Sequence, residues 1–123
     1  MHWDLSSDRP IYAQIIEQME LMICSGVYPL GSKLPSVRDL AQEAAVNPNT
    51  MQRALSRLEE TGLIYSLRTS GRFVTEDVNM IEMTRKRIAR EHIQDFLDRM
   101  IRLGFQQEDI VSMLMDMSKE LKK

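Results

Sequence analysis

Asn47-Pro48-Asn49-Thr50-Met51-Gln52-Arg53-Ala54-Leu55-Ser56-Arg57-Leu58 is the stretch on which the fold turns. Proline suits the first position of a helix, and an asparagine before it is a good N-cap. Met51, Ala54, Leu55 and Leu58 then recur at three- and four-residue spacing, which predicts a helix with one buried stripe. The other positions carry the function. Asn47, Asn49, Thr50, Gln52 and Arg53 crowd the first turns with hydrogen-bonding side chains. Any one of them alone reads equally well as an ordinary solvated helix residue or cap. Five together, beside so clean an apolar stripe, fit a helix whose start lies in the major groove of DNA. There Asn and Gln match adenine and Arg matches guanine in bidentate geometry. Free amides at the helix N-terminus also favour a phosphate.

Working outward, Leu34-Pro35-Ser36 opens an earlier helix, with Ser36 as N-cap and Asp39 in a variant capping box. Leu40, Ala41 and Ala44 give it an apolar face, and it stops before Val46-Asn47. Further upstream, Asp8-Arg9-Pro10 reads as a helix start, with Asp8 as cap and proline in the first turn. Ile11, Ile15, Met19, Met22 and Ile23 carry that helix to about Ser25, before Gly26 and the turn-rich Tyr28-Pro29-Leu30-Gly31-Ser32. Downstream, Thr61-Gly62 ends the central helix. Leu63 to Leu67 and Arg72 to Thr75 read as strands linked by Thr69-Ser70-Gly71. Two helices joined by a short turn and followed by a hairpin make a winged helix-turn-helix, mostly α with a small β-hairpin wing.

After Glu76 the pattern returns to helix. Ala89, Ile93, Phe96, Leu97 and Met100 share one face of a long helix ending at Gly104, and Ile110, Leu114, Met117 and Leu121 mark a last one. The expected organisation is a DNA-binding domain over 1–75 and a C-terminal helical dimerisation arm over 76–123. Two amphipathic helices of this size cannot bury their apolar faces alone. Ile88, Ile93, Phe96, Leu97, Met100, Ile110, Leu114 and Met117 are therefore candidates for a homodimer interface and core. Packing within one chain is the alternative. A twofold dimer would read a roughly palindromic site.

The net charge of -2 excludes a generally basic coat. From Lys33 to Arg72, however, six basic residues face four acidic ones, so the basic excess falls in the helix-turn-helix segment. Arg57 has Glu59 and Glu60 within pairing reach. Arg68 and Arg72 flank the wing, either as phosphate contacts or as exposed strand charges. Arg85-Lys86-Arg87 reads first as a solvated helix face and second as an added phosphate contact.

Longer motifs resemble a known family. Tyr28-Pro29-Leu30-Gly31-Ser32-Lys33-Leu34-Pro35-Ser36-Val37-Arg38-Asp39-Leu40-Ala41 is similar to the opening signature of the GntR family of bacterial regulators. Val46 to Leu55 resembles its recognition helix, and Gly62-Leu63-Ile64 with Gly71-Arg72-Phe73-Val74 completes the pattern, covering about Pro10 to Thr75. The resemblance implies a sequence-specific transcription regulator. It implies that Arg38 contacts the DNA backbone and that Asn47, Pro48, Asn49, Thr50, Gln52 and Arg53 sit at or near the major groove. Pro48, with no side-chain donor, would fix the helix start. The wing tip, Thr69-Ser70-Gly71, would approach the minor groove. Ser70 departs from the family pattern, standing where many members have a first wing glycine.

Most members carry a large effector-binding domain, whereas 48 residues follow Thr75 here. That resembles the YtrA-type subfamily, whose short two-helix arm forms the dimer. The resemblance also implies repression and an operator near transporter genes.

Other functions find little support. No phosphate loop, nucleophile motif or paired carboxylates point to an enzyme. His2, His92 and Cys24 lack metal-ligand spacing, so no metal or cofactor is expected. The single cysteine suits a reducing cytoplasm. No apolar run suggests a membrane span, and Met1-His2-Trp3-Asp4 is unlike a signal peptide. Ten methionines, six of them in the arm, suit core filling first. They also leave room for an unknown small-molecule effector of apolar character.

Overall fold

The computed structural model describes residues 3–121 and contains five helices and one hairpin among them. His2 lies outside the described residues. The chain divides into two compact units, 1–85 and 86–123.

The first unit is built on three helices: α1 (Ile11–Cys24), α2 (Val37–Ala44) and α3 (Pro48–Glu60). Ile15, Met19, Met22 and Ile23 of α1 meet Leu40 and Ala41 of α2 and the Met51, Ala54, Leu55, Leu58 stripe of α3 in one core. The expected caps hold for two of the three. Ser36 accepts the Asp39 amide at 3.1 Å, and Asn47 Oδ1 accepts the Asn49 amide at 2.7 Å. The start of α1 differs from expectation. Pro10 is itself the N-cap, no side chain caps the helix, and Asp8 is engaged by the Ser6 hydroxyl instead, which lowers its carboxyl pKa. The buried Gln14 does the organising. Its amide donates to the carbonyls of Ser6 and Arg9, at 2.8 Å each, and its oxygen accepts from the Ser6 amide at 2.7 Å.

The turn between α2 and α3 is tight because Ala45 takes a left-handed conformation, φ 57°. This allows the Val46 amide to bond back to the Ala41 carbonyl at 3.0 Å.

The wing pairs β1 (Ile64–Leu67) with β2 (Gly71–Val74) in antiparallel register, Ile64 opposite Val74 and Leu67 opposite Gly71. Tyr65 and Phe73 stack across it, 5.7 Å between ring centres. Both strands begin one residue away from the expected limits, within the usual scatter at element ends. The segment read only as a turn-rich connection also joins the wing. The Leu34 amide bonds the Arg72 carbonyl and the Val74 amide bonds the Ser32 carbonyl, both at 2.9 Å, so Ser32 to Leu34 lies along the free edge of β2.

α4 (Val78–Arg102) begins in this unit, capped by Asp77, which accepts from Asn79 and Met80. Met80 and Ile81 pack on the core and Thr84 is buried, which carries the first unit past the hairpin to Arg85.

The second unit holds the rest of α4 and α5 (Gln107–Leu121). Gly104 breaks the chain between them, and the Phe105 amide closes the end of α4 on the Met100 carbonyl at 3.2 Å. α4 and α5 do not pack extensively on each other among the described residues. Of the eight residues expected at an interface or core, only Ile110 is buried. Ile88, Leu97 and Met100 are half-buried, and Ile93, Phe96, Leu114 and Met117 are exposed. Among the described residues no helix is long and apolar enough to cross a membrane.

Candidate nucleic-acid interface

α3 has two distinct faces. Its apolar stripe is buried, while Asn47, Pro48, Asn49, Gln52 and Arg53 are exposed, and Thr50 is half-buried on the flank. Asn47 spends its oxygen on the cap, so its NH2 is what it has left to offer. Asn49 makes no side-chain hydrogen bond among the described residues. Gln52 reaches Ser56 Oγ only at the long distance of 3.5 Å, so its amide is weakly committed. These groups share the outer surface of the first two turns.

α2 and the wing stand on either side of this helix in the chain's order. Arg38 is exposed on the first turn of α2 and makes no side-chain hydrogen bond or ion pair among the described residues. Thr69, Ser70 and Gly71 are exposed at the wing tip. Gly71 has φ 103°, and a Cβ there would sit 3.2 Å from the Lys33 side chain. Glycine at this point thus supplies a conformation that other residues rarely adopt, and lets the lysine lie along the hairpin. A groove runs between the wing and the start of α2, bordered by Lys33, Ser36, Arg68, Thr69 and Ser70.

The arginines sort themselves by partner. Arg57 pairs with Glu60 at 3.0 Å on its own helix. Arg72 donates to Glu59 at 2.8 Å, and Glu59 also accepts the Ser66 hydroxyl, so the wing is tied to α3 through the strand pair next to its tip. Arg38, Arg53 and Arg68 have no carboxylate partner among the described residues. Arg53 instead stacks on the ring of Tyr12, 4.7 Å from its centre. The basic groups of this segment without a carboxylate partner are therefore Lys33, Arg38, Arg53 and Arg68 among the described residues, while Arg57 is paired at the exposed surface and Arg72 in a partly sheltered contact. Lys33 and Tyr12 were not anticipated as parts of this surface. Lys33 enters it through pairing along β2, and Tyr12 through the packing of α1 against α3.

Exposed hydrogen-bonding groups at the start of a second helix, a short turn behind it and a hairpin beside it define a winged helix-turn-helix of the transcription-regulator class. The profile described as bacterial regulatory proteins, gntR family, matches residues 11–74. The chain belongs to the GntR family. It is a GntR-type transcription regulator with a DNA-binding domain, and its relatives are regulators, not enzymes.

The repressor YtrA of Bacillus subtilis is 45% identical over 74 residues, which are 60% of this chain and 57% of YtrA, consistent with the YtrA-type placement. A GntR family transcriptional regulator from Listeria monocytogenes superposes with a TM-score of 0.84 at 39% identity, over 91% of this chain and 98% of that one. The DNA-binding domain of AraR in complex with operator ORX1 has a TM-score of 0.54 at 30% identity, over 61% of this chain and 99% of that domain.

Proposed function

We propose that this regulator is a cytoplasmic repressor that binds a pseudo-palindromic DNA operator as a homodimer. The observation that carries the reading is the outer face of α3, where Asn49, Gln52 and Arg53 stand exposed with their donors and acceptors free or nearly so. Asn49, Thr50, Gln52 and Arg53 read base edges in the major groove. Asn47 and Pro48 set the helix start, and Arg38 holds the phosphate backbone. Thr69, Ser70 and Gly71 approach the minor groove. The solved complex of AraR's DNA-binding domain with its operator supports this use of the fold.

The dimer reading rests on the second unit, where Ile93, Phe96, Leu114 and Met117 would otherwise leave a large apolar face in water. Residues 76–123 serve as the dimerisation arm, of which residues 86–123 form a compact unit of their own. Repression is supported by the name of YtrA and by the simplicity of blocking a promoter. Any small-molecule effector would act on the same arm, where Met113, Met115 and Met117 give an adaptable surface.

Selection of bound duplex from a random pool by the intact protein tests the function. An inverted repeat with half-sites spaced by whole helical turns is expected. Failure to enrich any sequence, or enrichment of an unrepeated motif, would refute the reading.

With the selected duplex, Arg53→Ala is expected to cost about 1–3 kcal/mol and to relax base preference. Arg38→Ala should weaken binding to all duplexes and flatten the salt dependence by about one phosphate contact. Fluorescence anisotropy at several salt concentrations separates the two effects.

A further inference from the structure

Arg53 is held by a ring and not by a carboxylate. Its guanidinium carbon lies 4.7 Å from the centre of the Tyr12 ring, inside the range of a cation–π contact. Tyr12 is half-buried on α1 and packed against the core, so the fold fixes where the ring stands. Arg57 and Arg72 differ, because each gives N–H donors and charge to a glutamate. A ring face uses neither. Arg53 makes no ion pair or hydrogen bond among the described residues, so its planar set of five donors and its full charge stay available on an exposed side chain. A long arginine held in this way loses less side-chain freedom when it binds.

We propose that Tyr12 is a positioning residue for DNA specificity. It stacks on Arg53 and presents the guanidinium as a pre-oriented fork to a guanine edge, whose O6 and N7 accept its two parallel N–H donors. This rests on the reading of α3 as the base-reading helix. The ring, not the phenol hydroxyl, does the positioning.

The test uses the intact protein and two duplexes, one recovered by the parent from a random pool and one of the same composition in scrambled order. Tyr12→Leu is expected to weaken the selected duplex two- to fivefold and to leave the scrambled one nearly unchanged. Tyr12→Phe should restore parent binding. In an Arg53→Ala background, Tyr12→Leu should add no further loss, which a merely structural role of Tyr12 would not produce. Tyr12→Met, which fills similar space without a ring, should reproduce the result if leucine disturbs folding.

Equal weakening of both duplexes would make Arg53 a phosphate contact and overturn the proposal. So would additive losses in the double variant, or a phenylalanine no better than leucine. If Arg53→Ala itself leaves the selected duplex unaffected, the base-reading role of Arg53 fails. If Arg53→Ala weakens it and Tyr12→Leu does not, only the role of Tyr12 fails.

Discussion

Asn47 uses one amide for two purposes. Its oxygen closes the start of α3 on the Asn49 amide, and its nitrogen faces outward. The two uses can be separated by substitution. Asn47→Ala is expected to destabilise the fold by about 1 kcal/mol, measured by urea denaturation. Asn47→Asp should keep the cap, since aspartate caps as well and suits the positive end of the helix dipole. It should nevertheless weaken DNA binding, because it sets a negative charge against phosphates. Wild-type affinity in Asn47→Asp would remove Asn47 from the interface. The cap was legible in the sequence because capping is a local property of Asn-Pro followed by an apolar stripe. The stacking of Arg53 on Tyr12 was not, because it depends on how α1 packs against α3, which no spacing within either helix encodes. At Asp8 the cause is local: the buried Gln14 holds the backbone of Ser6 and Arg9, and the Ser6 hydroxyl donates to the carboxylate that would have capped the helix.

At the scale of elements, the order of helices and strands followed from periodicity and punctuation, and the hairpin differed by one residue at its ends. The edge of the wing could not be read in the same way. Ser32 to Leu34 is too short to alternate visibly, and its pairing with β2 is a long-range contact. The link from the wing to α3 is likewise tertiary: Glu59 receives both Arg72 and Ser66, with the Arg72 and Glu59 side chains 20% and 30% exposed. Because water still reaches this pair, Glu59→Ala should cost only about 0.5–1 kcal/mol in thermal or chemical denaturation. The larger effect should fall on DNA binding, where a loosened wing would weaken the contacts proposed for Thr69 and Ser70. Unchanged affinity would show that the tie does not position the wing for DNA.

Over the whole molecule, the helical spacing of apolar residues in the arm foretold apolar faces, and the structure leaves most of them uncovered within one chain. Ile93 is 57% exposed, Met117 60% and Leu121 87%. Leu114→Glu on α5, or Phe96→Glu on α4, is expected to shift the mass in light scattering from two chains to one and to weaken binding to a two-half-site duplex far more than to a single half-site. A one-chain mass for the parent protein would refute the dimer reading. The arm's helices were legible because their stripes are regular. What covers those stripes was not, since two chains and one chain can share the same pattern.

In the proposed complex α3 lies in the major groove and the α3 of a second copy does the same nearby. Protection of guanine N7 from methylation measures this directly, because N7 lies in the major groove. On the selected duplex, two protected patches on one face of the helix are predicted, separated by one or more whole turns of about 10 base pairs. A single patch, or binding without any N7 protection, would contradict the account.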